Sequence, residues 1–467
     1  MSTTPPHATT PQPFPLLRLP LELREHIFAF YFNPFDRLTG DQEFGDPTGA
    51  TGFGGGKYKF DLRLLRVNKQ IYREASGVWK RVGGHFVMID TPWPTAVHHI
   101  STEGFVPIVV SGPRARLFKS HTFHVEITAP HYGARPDHSL VLLLEDIPLF
   151  AQTWYYSALS YPVLNTELHV SFAARPPHGW RTSSHAPPSP TTDISPALQQ
   201  KMLQPFEKVK ALRGTHFSGF SPEVEASVLK GMQTPHPTVQ ECVETCTSLI
   251  AQGDAVLAAK TPAAAHAALE IYNRAFHAIH IIINGRIRRV LAEAFFHTAI
   301  PAGRFASQSG TTVRTLLRIR LVSRHVLAYL RLREYGDAAF WGMRSIRIMR
   351  EAMTTEFEDF LAEFVGMSDV GPLCCRTAMA VWCMEADRER WGRELRGHED
   401  AEEGSESVLW NLAGRYMKGA SREEERKMVA AEAREFGVEV PEGAFGDGVE
   451  SEVDSLGYLN SGEDVPS

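Results

Sequence analysis

Cysteine is sparse and odd in number: Cys242, Cys246, Cys374, Cys375 and Cys383 are all that the 467-residue chain contains. Such a set argues against a disulfide framework and for a reducing compartment. No apolar run approaches the length needed to cross a bilayer. Residues 1–13 are rich in Pro and Thr, with neither a basic start nor an apolar core, so disorder is expected there and a signal peptide is not. Excess positive charge is missing too. The 48 Lys and Arg against 54 Asp and Glu leave a formal net charge of −6, which is no global footprint for nucleic acid. Catalytic signatures are absent: there is no G-x-S-x-G, H-E-x-x-H, kinase set or dinucleotide fingerprint. The Gly-rich run DPTGATGFGGGKYKF fails as a phosphate-binding loop. Thr51 holds the place five before Gly56, and Tyr58 stands where Ser or Thr must bind magnesium. It reads as a flexible insertion. Together these absences point to a non-enzymatic intracellular protein, cytoplasmic or nuclear, that uses no cofactor or metal and engages neither membrane nor nucleic acid.

What is present is amphipathic helix and short strand, in a chain long enough for roughly two to four domains. Two helical patterns open it, in LLRLPLELREHIFAFYF and DLRLLRVNKQIYREASGVWKR. Pro20 suits a first helical turn, where its missing N–H would be unpaired anyway. A β-rich stretch follows: HFVMI, VPIVV, HTFHVEIT, SLVLLL and TELHVSF are short, β-branched or aromatic, and separated by Pro and Gly. IPLFAQTWYYSAL reads as a helix. Beyond a Pro/Ser-rich break, a helix is expected over Ser195–Arg213, and Thr215–Phe217 as a returning strand. That would make a crossover unit with some parallel pairing. From about Val239 the chain turns helical and Ala-rich. RLVSRHVLAYLRLREYGDAAFWGMRSIRIM reads as two helices meeting at a turn of Tyr335, Gly336 and Asp337. The helix through Tyr272 is expected to continue across IIINGRIRRVLAEAFF. Ser421 with Glu424 forms a capping-box pattern, and the region beyond Arg434 lacks Lys and Arg and reads as a disordered acidic tail. The fold class is α+β, predominantly α. Its divisions are 1–13, a head over 14–90, a mixed α/β region over 91–235, a helical array over 236–397, and a helix plus tail over 398–467.

The opening pair, LPLELREHIF followed by LLRVNKQIYREASGVW, resembles the F-box-like head common in fungal proteins. In F-boxes this small helical bundle docks on the Skp1 subunit of a ubiquitin ligase. The resemblance implies Leu19, Pro20, Leu23 and Ile27 as docking positions, and a substrate protein as a second partner. YLRLREYGDAAFWGMRSIRI resembles a tetratricopeptide (TPR) repeat. So does GDAVLAAKTPAAAHAALEIYNRAFHAI, through Gly253, Leu257, Ala268, Tyr272 and Ala275, and more weakly PLCCRTAMAVWCMEADRERW. One such repeat cannot bury its own faces, so neighbours should stack on it. TPR grooves bind extended peptides or helices. At the family's groove positions this chain has Asp254, Arg324 and Arg376, which departs from the basic and amide set that holds a terminal carboxylate. A TPR scaffold whose F-box-like segment is purely structural is the alternative within the binding class.

An enzyme with its site in the His-rich middle is the alternative from another class. His121 and His124 should point to opposite faces of a strand and so make a poor metal pair. Cys242 and Cys246 could share a helix face, but no second pair at zinc spacing follows. Cys374 and Cys375 read as buried packing. The basic clusters GRIRRV and VRTLLRIRLVSRHV could form a helix face that holds the acidic tail.

Overall fold

The computed structural model describes residues 15–39, 54–82, 84–175, 194–352, 369–399, 405–417 and 422–445. They form an α+β protein dominated by helix, with one six-stranded mixed sheet. The expected disorder of residues 1–13, the Pro/Ser-rich break, Ser421 and the tail beyond Phe445 lie outside the described residues. By contacts the chain divides into two units, residues 1–236 with 289–295, and residues 237–288 with 296–467.

In the first unit, α1 (Leu21–Phe32) and α2 (Lys69–Val82) pack through Phe28, Phe32, Ile71, Ala75 and Val78, all buried. Between them, β1 (Leu38–Thr39) and β2 (Lys57–Tyr58) form a short antiparallel pair. The main sheet contains β3 (Phe86–Thr91), β4 (Val110–Ser111), β5 (Phe123–Thr128), β6 (His138–Leu143), β7 (His169–Ala174) and β8 (Gly214–Ser218), in spatial order β4-β6-β3-β5-β7-β8. Helices α3 (Pro94–His98), α4 (Pro113–Arg116), α5 (Ile147–Ser160), α6 (Pro196–Leu203) and α7 (Pro222–Gln233) complete the unit.

Strand alternation decides which face is buried. Along β5, Phe123, Val125 and Ile127 point into the larger core with Phe150, Trp154 and Phe206, whereas His124, Glu126 and Thr128 point the other way. The opposite face is covered only in part, where Tyr58, Phe60, Trp79 and Phe118 pack on Phe86, Met88, Val141 and Leu143. The expected crossover is present: β7 and β8 are parallel, His169 opposite Gly214 and Ala173 opposite Ser218, with α6 between them in sequence. The helix is shorter than Ser195–Arg213. It tightens to a 3-10 turn over Gln204–Lys208, where Pro205 has no N–H for an α-helical bond.

The Gly-rich insertion differs from the flexible loop expected of it, at least in its described end. Gly55 N–H donates to Ser101 O at 2.8 Å, Ile108 N–H donates to Gly56 O at 3.2 Å, and Tyr58 N–H donates to Ile108 O at 2.9 Å. A Cβ on Gly55 would lie 2.5 Å from the backbone of Phe105. Glycine is needed here because backbone lies against backbone. Gly55→Ala should therefore cost about 1–3 kcal/mol, seen as a fall in the thermal unfolding midpoint, whereas a free loop would register nothing.

The second unit is helical. It runs through α8 (Val239–Leu257), α9 (Pro262–Ala278), β9 (Ile281–Asn284) with the first two residues of its partner strand β10 (Ile287–Val290), α10 (Gly310–Leu332), α11 (Tyr335–Ala352), α12 (Val370–Ala386), α13 (Arg388–Glu399), α14 (Glu406–Tyr416) and α15 (Glu423–Phe436). Helix α10 packs on both α8 and α9, α12 packs on both α10 and α11, and α14 and α15 pack on α12. Gly253 lets α8 and α9 approach: a Cβ there would meet the Tyr272 ring at 2.3 Å. A capping box of Thr238 and Glu241 starts α8.

Two expectations are corrected. Helix α9 stops at Ala278, and the three isoleucines Ile281–Ile283 with the Asn284–Gly285 turn make strands where a continuous helix is expected. The turn between α10 and α11 is Arg333, in the left-handed conformation at φ 61, with Glu334; Tyr335, Gly336 and Asp337 already belong to α11. The capping box expected from Ser421 and Glu424 begins outside the described residues; α15 follows Arg422.

His325 of α10 is buried against the rings of Tyr272 and Phe276. Burial pushes its imidazole down to about 4. A neutral ring has one N–H. Nδ1 faces Leu321 O at 3.1 Å and Nε2 faces Asn273 Oδ1 at 3.2 Å, so that one proton serves one of the two acceptors. The folded pKa lies below the ordinary value, so this stabilisation is complete above about pH 6.5 and is lost as pH falls through about 4. The loss should be about 3 kcal/mol, and the His325→Gln protein should show a flatter stability profile between pH 6.5 and 4 by chemical denaturation.

Candidate functional site

Helix α1 carries two apolar faces. Phe28 and Phe32 fill the contact with α2, and Arg24 on the same side is held by Glu74 of α2 through two bonds of 2.8 and 2.7 Å. Arg24 also donates to the carbonyl of Leu19, which fixes the chain as it enters the helix behind Pro20, the N-cap residue. The other face is open. Leu23 is 51% exposed, Ile27 39% and Phe30 65%. At i, i+4 and i+7 they form one ridge. Leu17 and Leu21 precede it and are also exposed, as are Val67 and Tyr72 around the start of α2. Leu19 is half-buried and Pro20 exposed. Of the four positions singled out by the F-box resemblance, Pro20, Leu23 and Ile27 thus lie at the surface, and none of the four belongs to the α1–α2 core. Phe30, at helical spacing with Leu23 and Ile27 in the sequence, is not among the docking positions the resemblance implies, yet it extends the same ridge.

The three positions in the helical array are occupied by partners from the chain itself. Tyr272 OH donates to Asp254 at 2.7 Å, and Arg324 donates to the same carboxylate at 3.2 Å. Arg324 also bonds Asp369 at the start of α12, which Arg320 engages at 2.7 Å. Burial pushes the Asp369 carboxyl up, but Arg324 and Arg320 outweigh it and hold the group below its ordinary range. Arg376 is buried, with only 4% exposed. It makes a two-bond pair with Glu432 of α15, at 2.8 and 2.7 Å, and donates to Ser323 Oγ at 2.8 Å. Glu435, one turn on, pairs with Arg331 at 2.9 Å and Lys260 at 2.7 Å. The groove reading with Asp254, Arg324 and Arg376 as ligands for a guest is therefore revised. Asp254 and Arg324 pair with each other, and α15 already supplies carboxylates to Arg376 and Arg331.

The His-rich middle also departs from expectation. His121 precedes β5 and does not share its alternation, so the rings of His121 and His124 come within 5.6 Å. Asp90 accepts from His124 Nε2 at 2.7 Å and from Ser139 Oγ at 2.5 Å. Burial raises the Asp90 carboxyl, but these two bonds outweigh it and hold the group below its ordinary value. The carboxylate stands between serine and histidine, so His124 does not draw a proton from Ser139 as a base in a nucleophilic triad must. Arg175 can only donate, so His121 Nε2, at 3.2 Å, is the acceptor and Nδ1–H faces Phe118 O. Among the described residues, no group of three or more His, Cys, Asp and Glu side chains is placed to hold a metal.

The five thiols are free and buried. Burial pushes Cys242 and Cys374 up to about 12 and Cys383 up to about 11, which leaves no thiolate for nucleophilic work near neutrality. Among the described residues no helix is long and apolar enough to cross a membrane. Comparison with known proteins returns no family model, no curated protein and no solved structure that matches the chain.

Proposed function

We propose that this chain is a non-catalytic adaptor whose head docks a Skp1-like subunit of a ubiquitin ligase and whose helical array presents a second protein. The observation that carries the reading is the exposed Leu23–Ile27–Phe30 ridge, on a helix whose opposite face alone makes the head's core. An unfilled row of large apolar side chains rimmed by Glu22, Glu25 and His26 is the surface that a partner helix covers. The F-box resemblance supplies the kind of partner; the ridge supplies the surface. Stacked helix pairs from α8 to α15 support a TPR-like array as the presenting part. The test is reconstitution of the purified full chain with a recombinant Skp1-like subunit. A one-to-one complex at micromolar concentration supports the reading, and separate elution at every concentration tried removes it. A scaffold with a purely structural head is the second reading. It is favoured by the Arg24–Glu74 clamp, which would stabilise the head with or without a partner.

A further inference from the structure

Much of the basic run in α10 is engaged close by: Arg314 donates to Ile279 O at 2.9 Å and His280 O at 3.0 Å, and Arg320 and Arg324 hold Asp369. Helix α15 meets a different set of cations. Of its 14 residues only Val429, Glu432 and Ala433 are buried, and one of those three is a carboxylate. Helix α10 of the same unit buries Val313, Leu317, Leu321, Val326 and Leu330, among others. Apolar contact is therefore a small part of what holds α15. The rest is ionic: Glu432 meets Arg376 of α12, and Glu435 meets Arg331 of α10 and Lys260, just past the end of α8. These pairs are remote in sequence, 56 residues apart for Arg376 and Glu432 and 104 for Arg331 and Glu435. The helix thus returns across α12, α10 and the end of α8 instead of extending the array from its last member.

The cations that α15 engages are positioned without it. Arg331 donates to Leu257 O at 2.6 Å, and Arg376 donates to Ser323 Oγ at 2.8 Å and Ser323 O at 3.2 Å. A cationic face therefore belongs to the array itself, and α15 lies on it. Burial pushes the Glu435 carboxyl up, but Lys260 and Arg331 outweigh it and hold the group below its ordinary range. Interfaces within a chain that are small and polar behave like transient interfaces between proteins, and their ion pairs weaken as salt rises.

We propose that α15 is a displaceable cover over this face, and that the partner presented by the array is an acidic amphipathic helix that takes its place, one carboxylate on Arg376 and a second, three residues on, between Arg331 and Lys260. The pattern to match is that of α15 itself, Val-x-x-Glu-Ala-x-Glu over residues 429–435. Carboxylates three apart share one face of a helix. A guest without them leaves Arg376 buried and unpaired, which is strongly destabilising. That one charge both selects the guest and keeps the cover in place when no guest is present. Displacement exchanges like for like, so the face is never left bare. The tethered helix competes at a high effective concentration, so a guest must add contacts of its own beyond the shared pattern. The inference rests on reading the helical array as the presenting part, and all of its residues lie in the helical unit.

The probe is a fluorescently labelled peptide of residues 422–438, and the receptor is the full chain. Hydrogen exchange on the wild-type chain should show the α15 amides opening while those of α10 stay protected, and opening more often when NaCl is raised from about 0.1 to 0.5 M. Glu435→Lys places a third cation beside Arg331 and Lys260, at a position that is partly exposed. It should speed α15 exchange by at least about tenfold and raise peptide affinity, read by anisotropy, by a similar factor, because the cover no longer competes. The same peptide carrying Glu432→Lys should not bind. If the wild-type α15 amides exchange only as slowly as those of α10, the helix is an integral part of the unit and the proposal is overturned; this measurement decides even where the variant fails to fold. Unchanged α15 protection in Glu435→Lys, a lost cover with no gain in peptide affinity, or full binding by the Glu432→Lys peptide would each overturn it too. None of these measurements contains a Skp1-like subunit, so a negative result leaves the test of the head standing, and failure of that test leaves this one.

Discussion

Replacing Leu23 and Ile27 together by aspartate should abolish recovery of a Skp1-like subunit with the full chain, a loss of at least about a hundredfold in affinity. Leu23 is 51% and Ile27 39% exposed in the free protein, and neither belongs to the α1–α2 core, so the substitution adds charge at the surface without opening a cavity. The melting temperature should therefore move by no more than about 2 °C, because surface changes are usually within about half a kcal/mol. Phe28→Ala is the contrasting control. Phe28 is fully buried against α2, so its truncation should cost about 3–5 kcal/mol and lose the partner through unfolding of the head. Binding loss with unchanged melting in the first variant, and with lowered melting in the second, separates a docking ridge from a structural one. If the double aspartate variant binds normally, the ridge is not the interface.

Glu432→Ala should destabilise the helical unit by about 3–5 kcal/mol. The reason is less the attraction lost than the charge left behind. Arg376 lies between α10, α12 and α15 with 4% of its surface exposed, and without Glu432 its guanidinium keeps only the oxygens of Ser323. The double substitution Arg376→Met with Glu432→Leu should recover most of the loss, since an apolar pair of similar volume leaves no charge to solvate. Urea unfolding of the three variants measures both terms. Equal instability in the single and double variants would show that the pair matters through packing alone. Arg331→Ala, which removes the contact with Glu435 and the bond to Leu257 O but leaves Glu435 its partner Lys260, should cost less, about 1–3 kcal/mol.

Local patterns were enough to read the helices and most of the strands. HFVMI, HTFHVEIT, SLVLLL and THF all lie in the six-stranded sheet, because period-two alternation and β-branching are properties of a few consecutive residues. The stretch VPIVV yields only the short β4. The backbone of Ile108 is already bonded to Gly56 and Tyr58, a segment fifty residues earlier whose glycines looked like a linker. The same limit governs the candidate sites. The exposed ridge was legible because Leu23 and Ile27 lie one turn apart on one helix. The fate of Arg376 was not, since its partner Glu432 is 56 residues away and nothing in either neighbourhood pairs them. The closeness of His121 and His124 was misjudged for a smaller reason: the strand begins at Phe123, and alternation says nothing about a residue before it.

β3 leaves the ribosome before either of its sheet neighbours exists. It must wait for β5 on one side and β6 on the other, and the far edge closes only when β8 has been made. At about 5–20 residues per second, a nascent chain would carry its unpaired apolar strands for on the order of ten seconds. Helix α8, by contrast, meets α9 almost as soon as it emerges. The first half of the polypeptide is thus the half that most needs a holdase during translation, and the half in which slowing synthesis should most change the yield of native protein.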